Sequence, residues 1–578
     1  MENEQIEKIR HSLAHLMASA IMEFFPKTKL AIGPAIENGF YYDMELPKDF
    51  KPEDLQKIEN RMKELVKENQ AFVGKKVSKI TAKKLFKNQP YKLELIKDLE
   101  DKTVGTYQNG NFLDLCKGGH INNTSEIDPN SFKLTKLAGA YWKGSEKNKM
   151  LTRVYGVAFE TEKQLMEYLK MQDEAEKRDH RILGQKLDLF VFSDLVGSGL
   201  PLYTFKGTTI LKEIKNYSNE LQKDIGYQEV QTPNMNRAEL FKVSGHYDKF
   251  KDDMFRVVSH YTKEDYYLKP MNCPQHTQIY ASKQRSYKDL PIRMADFANL
   301  YRDEKTGELS GLTRLRAFSQ DDGHCFCMES QIKDEFKSVL LAVQKAMKTY
   351  GMNYKIRLSL WDPKKPENYL GDAKTWKKAQ KALEKILTEN KIEYFKAVGE
   401  AAIYGPKMDL ISKDSIGREW QLGTIQLDFI MPERFGLKYT DSDGKEKTPV
   451  MIHRAIVGSP ERFFGILIEH YAGAFPLWIA PVQIVVIPIS EKHLEYANKV
   501  AENFKIEGFR FEIMSENESL GKKIREAEMQ KIPYLLIIGD KEIQSNSISV
   551  RERGKGDLGA IPTDKFIEKI KEEIINKN

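Results

Sequence analysis

The sequence lacks the features that would place the protein outside the cell or in a membrane. Its 578 residues include only four cysteines, too few and too scattered for a disulfide framework: Cys116, Cys273, Cys325 and Cys327. The charged N-terminus, MENEQIEKIRH, has no apolar segment of the signal-peptide type. The longest apolar stretch, residues 474–489, is interrupted by prolines and a glutamine and is too short to span a bilayer. We therefore expect a cytoplasmic protein with no membrane segment.

Internal repeats, low-complexity tracts and a strong charge imbalance are also missing. The formal net charge is +7 and the isoelectric point is near 8.7. Such a mild excess of Lys and Arg permits nucleic-acid binding without demonstrating it, because binding depends on local clustering of these residues. The length is too great for a single core and predicts three to four domains.

The texture of the sequence changes along the chain. Helix and strand patterns predict an N-terminal α+β domain over 1–165, and a charged helical run predicts a linker over 166–183. Strands rich in β-branched and aromatic residues fill 184–476. Strands and helices then alternate regularly over 477–578, which predicts a small α/β domain with a mostly parallel sheet.

Four potential metal ligands lie in the N-terminal domain. His11 and His15 are spaced to share one face of a helix. Cys116 and His120 flank two glycines that let a loop fold back. These residues could form a zinc site, a pocket that does chemistry without a metal, or a structural cluster.

The segment NLYRDEKTGELSGLTRLRAFSQDD contains a second constellation, made of Arg302, Glu304, Arg314 and Phe318. Taken alone, Arg-x-Glu indicates a surface ion pair. The full pattern resembles motif 2 of the class II aminoacyl-tRNA synthetases. Two strands joined by a flexible loop can hold guanidinium groups on the phosphates of ATP and an aromatic ring against adenine.

Two further segments are similar to the other motifs of that class. HRAIVGSPERFFGILIEHY matches motif 3 with Ser459 and Arg462, and a helix followed by a strand ending at Pro233 matches motif 1. The resemblance implies an α+β multidomain protein with an antiparallel catalytic sheet, ATP with Mg²⁺ as cofactor, and a homodimer.

The segments LKPMNCPQH, QDDGHCFC and PVMIHRAI resemble the threonyl-tRNA synthetases in particular. The resemblance implies one zinc ion per subunit, bound by Cys273, His324 and His453. Their spacing forms no compact zinc motif, but three such ligands with an open position suit a zinc that accepts a further ligand. Cys325 and Cys327 are expected to be core residues.

The same resemblance assigns the remaining residues of the synthetic site. Those expected to bind substrate are Met271, Asp322, Tyr404, Gln421, Thr424, Gln426 and Ser459. Gln320 and Lys407 are expected to act with the motif residues on the reacting groups. Leu422 stands where the family pattern WQCGTIQ has cysteine, which we interpret as a packing change.

The resemblance extends to both ends of the chain. In bacterial-type members, the domain that carries His-x-x-x-His and Cys-x-x-x-His removes serine from mischarged tRNA. The resemblance therefore implies an editing pocket without an obligatory metal. The residues that match it are His11, His15, Tyr42, Lys92, Asp114, Cys116 and His120. Asn517, Glu542 and Arg551 match positions that read the anticodon, although each alone could be a surface residue. The small ubiquitin-like domain with which the family commonly begins is expected to be missing, which puts some tRNA contact in doubt.

Together these patterns predict an enzyme that activates threonine with ATP, transfers it to tRNA(Thr) and hydrolyses seryl-tRNA(Thr). One alternative is a class II synthetase for proline or serine, against which the zinc-ligand segments argue. The other is an RNA-binding regulator that has lost catalysis, against which the intact arginines argue. Pyrophosphate exchange with each amino acid separates the three.

Overall fold

A computed structural model of the chain describes residues 2–414 and 417–577, which divide into two compact units. The first unit ends at Asp173 and the second begins at Glu174. Among the residues described, no helix has the length and apolar character needed to cross a membrane.

The first unit contains a long N-terminal helix, two sheets and several short helices. Its elements in chain order are α1 (Glu2–Phe24), β1 (Lys29–Leu30), β2 (Ala35–Ile36), β3 (Gly39–Glu45), α2 (Asp54–Lys67), β4 (Phe72–Ser78), α3 (Lys79–Leu85), α4 (Pro90–Asp98), β5 (Thr103–Asn109), β6 (Phe112–Leu115), β7 (Phe132–Tyr141), β8 (Met150–Ala158) and α5 (Glu162–Arg178), which runs past the unit boundary.

Both sheets of this unit are antiparallel. Strands β1, β3, β8 and β7 form the larger sheet with β2 on β3, and β4, β5 and β6 form the smaller one. The apolar residues of α1 and α2 pack on the larger sheet around Phe40, Met44 and Val154. This core fixes the face of α1 that carries His11 and His15.

The central part of the second unit is built around one large sheet. Its elements are α6 (His180–Lys186), β9 (Phe190–Val191), β10 (Leu202–Tyr203), α7 (Phe205–Asp224), β11 (Gln228–Glu229), β12 (Met235–Arg237), α8 (Ala238–Ser244), α9 (His246–Phe250), β13 (Arg256–Val257), β14 (Tyr266–Leu268), α10 (Cys273–Ala281), β15 (Ile292–Tyr301), β16 (Ala317–Cys327), α11 (Ile332–Thr349), β17 (Tyr354–Leu360), α12 (Ala373–Glu389), β18 (Tyr394–Val398), β19 (Lys407–Lys413), β20 (Glu419–Asp428), α13 (Ile430–Arg434), β21 (Tyr439–Thr440), β22 (Glu446–Lys447), β23 (Val450–Ala455) and α14 (Pro460–His470).

The eight strands of that sheet follow the order β11-β15-β16-β23-β20-β19-β17-β18. All neighbours are antiparallel except the two outermost pairs, β11 with β15 and β17 with β18. Helices α7, α11 and α14 cover one face, and the apolar core lies between them and the strands. The opposite face is therefore left to carry polar side chains. The antiparallel catalytic sheet expected from the resemblance is confirmed.

The C-terminal part contains β24 (Ile484–Pro488), α15 (Leu494–Ile506), β25 (Phe511–Ile513), α16 (Leu520–Met529), β26 (Tyr534–Ile538), α17 (Asp540–Ser545), β27 (Ser547–Glu552), β28 (Gly556–Pro562) and α18 (Thr563–Ile575). Its sheet has the order β25-β24-β26-β27-β28. The prediction of a mostly parallel sheet is wrong at one edge, because β27 and β28 run antiparallel to their neighbours. Strand β28 was not predicted, since its glycine-rich sequence lacks the alternation typical of strands.

Candidate functional site

A cleft of about 290 Å³ opens on the polar face of the eight-stranded sheet. Gln320, Asp322 and His324 alternate along β16 and so point into it together. Most residues assigned to the synthetic site line this cleft: Met271, Cys273, Arg302, Gln320, Asp322, His324, Tyr404, Lys407, Thr424, Gln426 and His453.

The three expected metal ligands meet at the floor of the cleft. His324 of β16 and His453 of β23 are directly paired in the strand register, and Cys273 is the first residue of α10. One ligand atom from each lies within 4.8 Å of the others, and all three side chains are buried. A thiol and two imidazoles are a donor set that suits zinc, so the residues present fit the implied metal.

Neighbouring polar groups orient these ligands. His453 Nε2 lies 2.8 Å from Asp428 Oδ2, and His324 Nδ1 lies 2.7 Å from His276 Nδ1. Burial lowers the pKa of His324 far below its usual value, so this imidazole is neutral. Burial also raises the pKa of the Cys273 thiol, so an adjacent positive charge is needed to hold the thiolate.

The cleft wall beside the histidines is polar and ordered. Tyr404 stacks on His453 with ring centroids 4.3 Å apart, and its hydroxyl donates to Gln426 Oε1 at 2.8 Å. Burial raises the pKa of Asp322 to about 7, with Arg454 acting in the opposite direction. This wall therefore offers an acceptor, an aromatic ring and an amide close to the potential metal.

Asp409 organises another side of the cleft. Its carboxylate accepts hydrogen bonds from Thr424 and Gln421, each at 2.9 Å, and lies 3.2 Å from the Lys407 ammonium. Gln421 also accepts a hydrogen bond from Arg357. Its side chain does not line the cleft. It is thus placed to support Thr424 and Lys407 rather than to face a ligand in this conformation.

Ser459 likewise lies outside the residues that line the cleft. It caps α14: its hydroxyl oxygen accepts from Arg462 N at 3.3 Å, and its hydroxyl donates to Glu461 at 2.9 Å. Glu461 in turn accepts from the backbone and hydroxyl of Ser319 on β16. These contacts fix the first turn of α14 against the sheet.

The motif 2 and motif 3 residues lie at the adjoining end, where a second cavity of about 360 Å³ includes Arg302, Glu304 and Arg314. The guanidinium carbon of Arg302 lies 5.2 Å from the ring centroid of Phe318. Arg314 donates to Glu304 at 2.8 Å, and Arg462 Nε donates to Thr313 O at 2.9 Å.

These arginines form a concentrated positive region. Burial lowers the pKa of Arg302, and the neighbouring Arg462 lowers it further. Burial and the neighbouring Arg314 likewise lower the pKa of Arg462. Because like charges lie close together in a partly dry site, an anion such as a triphosphate relieves their repulsion on binding.

In the N-terminal unit, the four potential ligands converge. The rings of His11 and His15 lie 4.2 Å and 4.4 Å from that of His120. Cys116 Sγ lies 3.5 Å from His11 Nε2 and 3.3 Å from His120 Nε2. Gly118 and Gly119 adopt φ values of +119° and +89°, which other residues rarely adopt, so they allow the loop to return.

A buried ion pair adjoins this cluster. Lys92 Nζ lies 2.5 Å from Asp114 Oδ1, and the Tyr42 hydroxyl donates to Asp114 Oδ2 at 2.5 Å. Burial raises the pKa of Asp114, but the opposing effects of Lys92, His15 and Tyr42 are larger. The pKa of this carboxyl is therefore below its usual value. His15 Nε2 lies 3.8 Å from the same carboxylate, which links the two groups.

The imidazoles of the cluster are neutral at physiological pH. Burial lowers the pKa of His15 to about 4 and that of His120 to about 2, and it also lowers that of His11. Burial raises the pKa of the Cys116 thiol. The pocket therefore presents uncharged imidazole and thiol groups next to the ion pair of Lys92 with Asp114.

The three residues expected to read the anticodon occupy different settings in the C-terminal part. Asn517 is exposed in the loop before α16. Glu542 accepts from Gly539 N at 2.9 Å at the start of α17, and Arg551 on β27 lies 3.7 Å from Glu528. Each remains accessible to a ligand, and their roles stay a prediction.

Sequence reasoning missed several residues on which the site depends. Asp409 and Asp428 are fully buried acids, and His276 contacts a potential metal ligand. The available signal was an aspartate inside an apolar strand, in KMDLIS and in QLDF, because a buried charge needs a specific partner. His276 lies in the segment MNCPQH already singled out.

Family models match three parts of the chain. Residues 255–471 match the tRNA synthetase class II core domain (G, H, P, S and T), and residues 483–573 match an anticodon binding domain. Residues 104–155 match the threonyl and alanyl tRNA synthetase second additional domain.

Two threonine–tRNA ligases are similar over nearly the whole chain, and two solved structures are similar over about two thirds of it. The threonine–tRNA ligase of Thermotoga neapolitana is 47% identical over 99% of this chain and 88% of its own length. That of Gloeobacter violaceus is 46% identical over 99% and 93%. A solved RNA binding domain of threonyl-tRNA synthetase from Cryptosporidium parvum aligns with TM-score 0.65 and 36% identity over 68% of this chain and 98% of its own. A prolyl-tRNA synthetase from Giardia lamblia, at 15% identity and TM-score 0.56, shares the fold alone over 70% of this chain and 80% of its own. With its class II core, its anticodon-binding and additional domains, and these relatives, the chain belongs to the threonyl-tRNA synthetases.

Proposed function

We propose that the cleft on the eight-stranded sheet is where this threonine–tRNA ligase joins threonine to ATP, with Cys273, His324 and His453 as the ligands of a zinc ion. The observation that carries this proposal is the direct pairing of two buried histidines across β16 and β23 beside a buried cysteine. When bound there, zinc would supply a Lewis acid that accepts the amino and β-hydroxyl groups of threonine.

The residues around the potential metal would select and orient the amino acid. Asp322 would accept a hydrogen bond from the amino group, and the wall formed by Tyr404 and Gln426 would close around the side chain. Met271 and Thr424 complete this pocket, with Gln421 and Ser459 acting through Asp409 and Glu461.

The arginines would act on ATP with its Mg²⁺. Arg302 and Arg462 would hold the α-phosphate, Arg314, oriented by its ion pair with Glu304, would hold the outer end of the nucleotide, and Phe318 would hold the adenine ring. A carboxylate oxygen of threonine attacks the α-phosphorus, the bond to the β-phosphate oxygen breaks, and pyrophosphate leaves. The guanidinium groups, with Gln320 and Lys407, stabilise the charge that develops in this step.

In the N-terminal unit, the His11, His15, Cys116 and His120 cluster would hydrolyse serine from mischarged tRNA without an obligatory metal. Neutral imidazoles can hold a water or the terminal ribose hydroxyl, since each has one donor and one acceptor nitrogen. Lys92, fixed by Asp114 and Tyr42, would stabilise the negative charge on the ester oxygen.

The C-terminal part would bind the anticodon through Asn517, Glu542 and Arg551, whose polar groups can meet the edges of unpaired bases. In this account the chain is divided as 1–165 for editing, 166–183 as linker, 184–476 for catalysis and 477–578 for anticodon binding.

The enzyme would act as a homodimer. Large apolar side chains project from the segment before and at the start of α7: Leu195 is 100% and Phe205 is 96% exposed, and Val191, Phe192 and Leu202 are exposed as well. A cluster of this kind is typical of a protein–protein contact, and a two-fold dimer would bury it against its own copy.

An exchange panel combined with metal analysis tests the synthetic site. Purified protein should hold about one tightly bound zinc per subunit, and radioactive pyrophosphate should exchange into ATP with threonine, weakly with serine and not with valine or proline. Cys273→Ala should lose both the metal and the exchange, because the remaining two ligands cannot close the site. Full zinc content with full exchange in that variant would show that Cys273 is not a ligand.

A further inference from the structure

His180, the first residue of α6, is buried at a junction of three elements of the synthetic domain. Its Nδ1 lies 2.7 Å from Glu469 Oε1, and its backbone N–H donates to the same oxygen at 3.2 Å. On the other side of the ring, the backbone N–H of Leu312 donates to Nε2 at 2.9 Å. The imidazole therefore joins α14 to the loop between β15 and β16.

The partners determine where the proton of the ring lies. A backbone amide can only donate, so Nε2 of His180 must accept, and Nδ1 carries the hydrogen and donates to Glu469. Arg418 pairs with the other oxygen of Glu469. Burial lowers the pKa of His180 to about 4, so the neutral ring is the form present at physiological pH.

The loop and the helix are both shaped around this ring. Gly311 adopts a φ of +47°, and a Cβ there would lie 2.1 Å from His180 Nε2. A Cβ on Gly465 of α14 would lie 3.2 Å from Leu312 Cβ and 3.5 Å from His180 Cδ2. Both glycines lack a side chain at the same junction, which allows the loop, the ring and the helix to approach closely. This close approach is therefore specified by the sequence.

The loop that His180 contacts carries the phosphate-binding residues. Thr313, next to Leu312, accepts through its carbonyl from Arg462 Nε, and Arg314 follows with its bonds to Glu304 and Glu308. Arg462 and Glu469 both belong to α14. The helix therefore holds two consecutive residues of the loop, one directly through Arg462 and one through the imidazole of His180.

From this arrangement we infer that His180 is a positioning residue for adenylate formation: its hydrogen bond to Leu312 N holds the loop so that Arg314 faces the arriving ATP. This inference rests on the proposed function of the arginines. A reacting group held in place before the substrate arrives saves the ordering that binding would otherwise require. The expected consequence of losing the bond is weaker use of ATP, with recognition of threonine unchanged.

Two isosteric substitutions separate the two contacts of the ring. In His180→Gln the amide oxygen reaches the position of Nε2 and still accepts from Leu312 N. In His180→Asn the amide can donate to Glu469 but is too short to reach Leu312. The two variants of the full-length chain are compared by threonine-dependent pyrophosphate exchange, with KM for ATP and KM for threonine measured separately.

We expect His180→Asn to raise the KM for ATP about tenfold, the equivalent of one positioning hydrogen bond, and to change that for threonine by less than about twofold. His180→Gln should stay within about threefold of the parent in both constants. Equal KM values for ATP in the two variants, or a loss confined to thermal stability and to the fraction of active sites, would overturn the inference.

Gly311→Ala provides a second approach that leaves His180 intact, because the added methyl pushes the loop away from Nε2. It should show the same selective defect in ATP use, and a normal KM for ATP in this variant would contradict the inference. If the parental protein itself showed no threonine-dependent exchange, the proposed function would fail instead, so the two failures are distinguishable.

Discussion

At the scale of single residues, the synthetic site depends on carboxylates that do not line the cleft. Asp428 is fully buried on β20, with Oδ2 2.8 Å from His453 Nε2 and Oδ1 accepting from Ile430 N and Met431 N at the start of α13. Asp428→Asn keeps the acceptor that caps the helix and removes the charge that orients the histidine. We expect the dissociation constant for zinc to rise roughly 10–100-fold, measured by competition with a chelator.

The matched control for that experiment is Asp372→Asn. Asp372 also caps a helix, accepting from Lys374 N and Thr375 N of α12, but it is exposed. Zinc affinity should be unchanged in this control. The same affinity in Asp428→Asn as in the parent would mean that His453 needs no carboxylate partner to hold the metal.

Residues whose role is carried by a short segment could be predicted, and those whose role comes from tertiary contact could not. Arg302, His324 and His11 stand in patterns that resemble the family, so the sequence alone singles them out as candidates. His180 meets Glu469 and Leu312 only after the chain has folded, and nothing in the spacing of the three indicates a contact. Buried polar pairs of this kind can be identified only from the folded structure.

At the scale of elements, helix α1 should become less stable in mild acid. Burial lowers the pKa of His15 to about 4, whereas an unfolded histidine titrates near 6.5, so the unfolded chain takes up a proton first as the pH falls. Stability is therefore full above pH 6.5 and is lost between 6.5 and 4, by about 2 kcal/mol at pH 5 from this residue alone.

Hydrogen exchange of α1 peptides in the full-length protein, corrected for the intrinsic rate, measures this loss. Protection should fall between pH 7 and pH 5 in the parent and fall less in His15→Gln, whose side chain does not titrate. Identical pH profiles in the two proteins would show that His15 does not take part in the transition.

Elements with clear periodicity were predicted well, whereas their pairing was not. The long helices and the antiparallel class II sheet agree with the sequence patterns and with the resemblance. The register that places His324 opposite His453 depends on how β16 and β23 align, and β28 has too little alternation to be recognised. Patterns in a single sequence predict whether a segment is a helix or a strand more readily than they predict which strand it pairs with.

At the scale of the whole molecule, the exposed apolar segment before α7 predicts a dimer. Leu195→Glu combined with Phe205→Glu places charges at the two most exposed apolar positions of that segment, so it should shift sedimentation from the dimer toward the monomer. Ile506→Glu, at a position 75% exposed on α15, is the control and should leave the parental dimer intact. A parent that sediments as a monomer at micromolar concentration would contradict the proposed dimer.

The two active sites answer two different problems of selection. A site that contacts the β-hydroxyl of threonine rejects valine strongly, since polar recognition of this type reaches roughly 10⁴–10⁵-fold. Serine keeps the hydroxyl and lacks one methyl group, which is worth only about 1–3 kcal/mol, or roughly 10–200-fold. Serine must therefore enter the synthetic site at an appreciable rate, and a second pocket must remove it from the tRNA.

Charging of tRNA by the double variant His11→Ala/His15→Ala tests this division of work most directly. The account predicts that seryl-tRNA accumulates when serine is supplied, that threonyl-tRNA forms at the parental rate, and that no valyl-tRNA appears with valine. The intact threonine reaction serves as the control for folding. Clearance of seryl-tRNA by the double variant at the parental rate would contradict the account and return the four ligands in the N-terminal unit to a structural or metal-binding role.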